Sequence, residues 1–303
     1  MNKSKLWIVT ELFYPDQTST AYILSKIANR MSEKYDVNVI TTDSLYQENI
    51  GNSDKFFNLD ESISVIRVNS KRLNKNSLIQ RFIRLFTQSN SLFRELKNRV
   101  SSNEKVLIVT NPAPLIVKCA KLKKRRNFYL NILVHDVFPE NTIPAGIIPS
   151  KESLLFKIIS KRYDKAYAAA DKLIVLGRDM KDVVEQKIVR SKHIPEVVII
   201  ENWGDVDNIK PKESRQNEFI TIQYAGNIGR VQGLESFINL LEKSANKKLV
   251  LDLWGDGAMT DNLKNIVSDK ALNDQVNFHG SFSREEQNDI LNSANIALVT
   301  LAE

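Results

Sequence analysis

Short apolar runs rich in β-branched residues alternate with longer amphipathic stretches along nearly the whole chain. The runs predict strands at Lys5–Thr10, Val37–Thr42, Ile63–Val68, Lys105–Thr110, Phe128–Val134, Lys172–Leu176 and Val197–Ile200. Helical periodicity marks Thr18–Lys34, Ser77–Arg99, Pro112–Arg125, Ser153–Ala170 and Arg178–Val189 between them. Strand and helix in strict alternation predict an α/β fold, a parallel sheet with helices on both faces.

After Ile200 the segment ENWGDVDNIKPKESRQNE carries Gly, Asp, Asn and Pro with no apolar period, and reads as a hinge. The alternation then restarts with strands Phe219–Tyr224, Leu249–Trp254, Gln275–Phe278 and Ile296–Leu301 and helices Gly233–Lys243, Thr260–Val267 and Arg284–Leu291. The expected organisation is a first Rossmann-like domain over residues 1–200, a linker over 201–217 and a second, incomplete domain over 218–303. Two such domains would face a cleft, with ligands at the carboxyl ends of the strands.

Composition narrows the classes. At 303 residues, 42% hydrophobic and 26% charged, the chain suits two folded domains and excludes disordered, collagen-like and disulfide-scaffold proteins. One cysteine, Cys119, and three histidines cannot build a thiolate or imidazole metal cluster, so structural zinc is not expected. The first fifteen residues hold only a brief apolar run before Glu11 and Pro15, which is neither a signal segment nor a span, and a cytoplasmic location is expected. The net charge of +7 divides unevenly: residues 1–200 carry +13 and residues 201–303 carry −6. Lys71 to Arg126 alone holds 15 basic residues against Glu95 and Glu104. Its helical part, with Arg81 and Arg84 beside Leu78, Phe82, Leu85 and Phe86, and the run Lys123, Lys124, Arg125, Arg126 suggest a patch for an anionic membrane; a solvated helix face is the alternative. No nucleic-acid module accompanies the charge, so nucleic acid is not expected as a partner.

Candidate chemistry lies at strand ends. Gly226, Asn227, Gly229, Arg230 and Gln232 fall between a strand and a helix, where glycines admit a ligand to the backbone and a helix N-terminus with Arg230 attracts a diphosphate. Gly255 and Gly257 form a second such turn, and Phe278 next to His279 could meet a base or simply end the core. In the first domain His135 and Asp136 close a central strand; the carboxylate is expected to orient the imidazole and raise its pKa. Thr18 and Ser19 can cap the first helix and also bind a polar substrate. Asp205 and Asp207 could hold a metal but read as solvated loop. Neither a P-loop nor a Gly-x-Gly-x-x-Gly turn after the first strand is present.

Taken in order, WIVTELFYPDQTSTAYILSKIANRM, HDVFPE, ENWGD, YAGNIGRVQGLESFI, LWGDGAM, VNFHGSF and SANIALVTL resemble the GT-B glycosyltransferases of family 4, especially those that build bacterial O-antigen, capsule and colanic-acid polysaccharides. The resemblance implies retaining transfer of a sugar from a nucleotide-sugar donor, without a metal or other cofactor. The second domain would bind the donor through Gly226, Asn227, Gly229, Arg230, Gln232, Gly255, Gly257 and Phe278. His135 and Asp136 would sit near the reacting sugar, and Thr18 and Ser19 on the side of a lipid-linked acceptor. The enzyme would work as a peripheral protein at the inner face of the cell membrane. The sequence departs from the family at Asn227 and Gln232, where an Arg and a Lys are common, and in having Thr18-Ser19-Thr20 for a glycine pair. The family's paired glutamates would lie beyond Leu301, so a C-terminally shortened chain is expected, with an inactive or partner-dependent fragment, or an epimerase of the same fold, as alternatives.

Overall fold

The computed structural model describes residues 3–16, 18–43, 57–69, 78–144, 146–204, 209–212 and 218–301. Asp205, Asp207 and the basic residues at 71–75 lie outside these, as do the side chains of Leu78, Arg81 and Phe82. The chain divides into two compact units, residues 1–203 and 204–303.

The first unit runs β1 (Ser4–Val9), α1 (Ser19–Ser32), β2 (Tyr35–Thr42), β3 (Ser64–Val68), α2 (Leu78–Arg99), β4 (Lys105–Val109), α3 (Pro114–Arg126), β5 (Tyr129–Val134), α4 (Leu154–Tyr167), β6 (Lys172–Val175), α5 (Arg178–Ile188) and β7 (Glu196–Ile199). Its seven strands form one parallel sheet in the order β3-β2-β1-β4-β5-β6-β7. The central strands read as unbroken apolar runs because both faces are covered. In β4, Val106 and Ile108 enter one core with Trp7 and Val9 of β1, while Leu107 and Val109 enter the opposite core with Leu6 and Ile8. Helix boundaries follow local chemistry. Thr18 caps α1 by accepting from Ala21 N–H at 3.2 Å, Pro114 opens α3, and α3 ends at Asn127 with φ 49°.

One buried charge ties the loop after β5 to the helices. Lys187 of α5, whose side chain is only 5% exposed, meets Glu140 at 2.6 Å and Asp164 of α4 at 2.8 Å. Lys187→Ala is expected to leave two carboxylates facing each other and to cost about 2 kcal/mol, below the cost of breaking a fully buried pair because both acids keep some solvent. Urea unfolding checks this, and an unchanged midpoint would refute it.

The second unit runs β8 (Ile220–Ala225), α6 (Leu234–Lys243), β9 (Leu249–Trp254), α7 (Thr260–Asp269), β10 (Val276–Gly280), α8 (Gln287–Leu291) and β11 (Ile296–Ala297), with the parallel sheet ordered β10-β9-β8-β11. Leu234, Ile238 and Leu241 of α6 and Leu263 and Val267 of α7 cover Ile222, Tyr224, Leu251 and Leu253. Two boundaries differ from the sequence expectation. The helix expected from Arg284 begins at Gln287, after a turn in which Glu286 accepts from the Ser283 N–H and hydroxyl at 2.8 and 2.9 Å. The strand expected over Ile296–Leu301 pairs with β8 only at Ile296 and Ala297, and Val299 is 91% exposed.

Candidate functional site

In the first unit the strand order turns about β1 and β4, which places the ends of β1, β4 and β5 at the switch point of the sheet. The Thr110 hydroxyl after β4 accepts the backbone N–H of both His135 and Asp136 at 3.1 Å, fixing the start of the loop after β5. Tyr167 of α4 donates no less structure there, its hydroxyl accepting from Phe138 N–H at 3.2 Å. The imidazole of His135 is largely enclosed and its Nε2 is buried without a hydrogen-bond partner. Burial pushes its pKa down, and the Asp136 charge, though it acts upward, does not overcome this. The expectation that Asp136 would raise the imidazole pKa is therefore corrected: Asp136 is exposed, so water screens its charge, while the ring loses hydration. The result is a ring whose charged form is disfavoured and whose Nε2 has no partner.

Glu11, directly after β1, was not singled out by sequence reasoning. It is 7% exposed, its carbonyl accepts from the hydroxyls of Thr41 and Thr42 at 3.2 and 2.8 Å, and burial raises its carboxyl pKa. The charge of Arg84 and a hydrogen bond from Gln88, both on α2, oppose that rise, and Asp16 adds to it. Arg84 is half-buried, and Lys123 meets Asp171 at 2.7 Å. Lys124, Arg125 and Arg126 are exposed. Thr18 is occupied as a cap and Ser19 is exposed beside it.

In the second unit the loop after β8 lies at the corresponding switch point, between β8 and β11. Two glycine turns are stitched together there. Gly226 N–H donates to Trp254 O at 2.9 Å, Ile228 N–H to Asp256 O at 3.0 Å, and Met259 N–H to Ile228 O at 3.0 Å. A Cβ on Gly255, whose φ is +127°, would fall 1.8 Å from Gly226 O, and one on Gly257 would fall 2.2 Å from Ile228 O. These glycines are required by the approach of one turn to the other. Their N–H groups are also engaged, Gly255 with Gly280 O at 2.7 Å and Gly257 with Asp256 Oδ1 and Thr260 Oγ1 at 2.7 and 3.0 Å.

What faces outward is different. Asn227 and Arg230 are exposed, a 3-10 turn over Arg230–Gln232 follows Gly229, and Gly233 at φ 64° starts α6 with no side-chain cap. The helix N-terminus and Arg230 together form a cationic edge, and Gln232 adds a buried Oε1 without a partner. Phe278 packs against the core with Lys264 Nζ 5.7 Å from its ring centre. An aromatic pair that the sequence reading missed stands beside it. His279 stacks on Trp254 with ring centres 4.1 Å apart and planes 8° from parallel, its Nε2 lies 3.2 Å from Asp252 Oδ1, and Trp254 Nε1 is buried without a partner.

Residues 205–302, which fall in the second unit, match the family model described as glycosyl transferases group 1. The whole chain is 29% identical over 312 residues to a probable glycosyltransferase, WbjE, of Pseudomonas aeruginosa, covering 99% of this chain and 74% of that protein. Among solved structures, sucrose-phosphate synthase from Thermosynechococcus elongatus aligns with a TM-score of 0.72 at 13% identity over 98% of this chain and 75% of that one. Anabaena HepE in complex with UDP-glucose aligns with a TM-score of 0.64 at 14% identity, over 98% and 74%. The α/β fold with parallel sheets is that of GT-B glycosyltransferases, as the sequence led one to expect.

Proposed function

We propose that this chain is a retaining glycosyltransferase that moves a sugar from a nucleotide-sugar donor to a lipid-linked glycan acceptor in surface-polysaccharide synthesis, at the inner face of the cell membrane. The observation that carries the reading is the coincidence of the group 1 match with the segment holding both glycine turns, Arg230 and the uncapped start of α6. The WbjE likeness supports the glycosyltransferase assignment, and the UDP-glucose bound to HepE supports a nucleoside diphosphate donor.

As the anomeric bond breaks, the departing diphosphate gains negative charge, and Arg230 with the N-terminal N–H groups of α6 stabilises it electrostatically. The interlocked turns hold that edge rigid, so little reorganisation is needed when the charge develops. The sugar becomes oxocarbenium-like, and a cation next to it would be repelled. His135, kept neutral by burial, can bond a sugar hydroxyl through its open Nε2 without that repulsion. Ser19 and Thr18, at the start of α1, serve the acceptor.

Because protein groups meet the leaving charge in this reading, transfer from a panel of nucleotide sugars onto a lipid-diphosphate acceptor is expected to proceed in the presence of EDTA. Product whose anomeric configuration, read by NMR, matches the donor supports retention. Absence of turnover with every donor, or conversion of the donor without any acceptor, would overturn the assignment.

A further inference from the structure

Helix α4 carries an exposed apolar tip that the sheet does not use. Phe156, Tyr163 and Tyr167 point into the core, whereas Leu154 is 74% exposed, Leu155 57% and Ile158 47%. Ile147, in the loop before the helix, is 65% exposed. Solvent-facing Leu, Leu and Ile within the first turn and a half of a capped helix are unusual when its later turns bury aromatic residues normally.

The charge around that tip is one-sided. Leu154, Ile158, Lys161 and Lys165 follow steps of four, three and four, so they form one outward stripe that is apolar first and cationic afterwards. Lys151, Lys157 and Arg162 flank it, all exposed. Beside the stripe, α4 and α5 border a groove of about 740 Å³ whose walls include Lys157, Lys161, Lys165 and Arg190. Asp164 in that groove shares Lys187 with Glu140, at 2.8 and 2.6 Å, and Glu152 just before the helix is a second, exposed acid; both are outnumbered by the surrounding lysines and arginines. The α3 surface expected from the sequence differs: it exposes Lys121, Lys124, Arg125 and Arg126, but Leu115, Ile116 and Leu122 are buried, leaving charge without an apolar face. No described helix is long and apolar enough to cross a membrane, so attachment through such a surface does not duplicate a span.

We infer that the start of α4 with Ile147 is a docking surface for an anionic phospholipid bilayer, Leu154, Leu155 and Ile158 entering the acyl boundary while Lys157, Lys161, Lys165 and Arg190 contact headgroup phosphates. Apolar insertion and cationic attraction reinforce each other only where both occupy one surface, and lysine stems can lie along the apolar tip while their ammonium groups reach the phosphates. The inference rests on the proposed work at a membrane, and places it on a face the basic run of the sequence did not indicate.

Co-sedimentation of the full chain with phosphatidylethanolamine vesicles containing phosphatidylglycerol tests it, without any sugar donor present. Wild type should bind these and not phosphatidylcholine vesicles, with binding falling as sodium chloride rises. Charge reversal at Lys157, Lys161 and Lys165 should weaken partition about a hundredfold, since each basic residue near such a surface contributes about 1 kcal/mol. L154S combined with I158S should weaken it at least tenfold. These side chains are solvent-facing, so thermal unfolding should be unchanged. Reversal at Lys121, Lys124 and Arg125 on α3 is the comparison and should matter far less. Wild-type binding to neither vesicle, loss only in the α3 variant, or a dimer that L154S/I158S dissociates without affecting vesicles would overturn the inference. Transfer to a detergent-dispersed acceptor is read separately: docking can fail while transfer stands, and transfer can fail while docking stands.

Discussion

Replacing His135 by alanine is expected to lower sugar transfer about a hundredfold, the scale of removing one hydrogen bond to a charge-developing transition state. Affinity for the free nucleoside diphosphate, measured by calorimetry, should hardly change, because the groups assigned to the diphosphate belong to the other unit. His135→Gln can offer a polar atom near the position of Nε2 and should recover part of the loss. The pH dependence gives a second readout. Burial lowers the imidazole pKa, so the ring takes up its proton at lower pH than a free imidazole does. Transfer in the wild type should therefore fall off at lower pH than protonation in the ordinary imidazole range would dictate. Stability moves the other way: there the unfolded chain binds a proton that the folded chain refuses. The contribution of a neutral His135 is complete above that range, diminishes as pH falls through it, and levels off below the lowered folded-state pKa. An alanine variant with wild-type kcat, or a glutamine variant no better than alanine, would refute the role given to this ring.

Gly255→Ala should be the most damaging small substitution in the second unit. The added methyl would lie 1.8 Å from Gly226 O, a backbone atom that cannot rotate away, and the φ of +127° is unfavourable for any side chain. Overpacking and conformational strain together should cost about 4 kcal/mol, a large part of the stability of a domain this small. Gly226→Ala is the informative contrast: its Cβ would meet the Tyr224 hydroxyl at 3.1 Å, a side-chain end that can shift, so the cost should stay below about 1 kcal/mol. Hydrogen exchange of the β8 and β9 amides measures both, and equal protection in the two variants would contradict the interlock.

The sheets were legible in the sequence because their strands are covered on both faces, and an unbroken run such as Val106 to Val109 has no competing helical reading. The end of β11 was not, since apolar residues continue past the point where pairing stops. Site residues divided in the same way. The glycines at 226, 255 and 257 stood out at strand ends, but a ligand-centred reading did not foresee that the approach of the two turns needs Gly255 and Gly257. His135 was visible as a strand-end residue; its neutrality depends on what encloses it, and Asp136 next to it in sequence pointed the wrong way. Glu11 and Lys187 were missed because Arg84 and Gln88, or Glu140 and Asp164, come from elements far along the chain. The Trp254–His279 stack was missed for the same reason, although each residue ends a strand on adjacent positions of one sheet.

The order of strands in the first unit also sets a timetable for synthesis. On one side β1 can pair with β2 after little more than thirty residues, Ser4 opposite Tyr35. On its other side Leu6 must wait for Lys105, so the inner edge of β1 stays open until α2 and β4 have been made. A parallel sheet offers no hairpin to close that gap early. A ribosome-bound chain that stops short of β4 therefore displays Leu6, Ile8 and their unpaired backbone, and is the species a chaperone should hold longest.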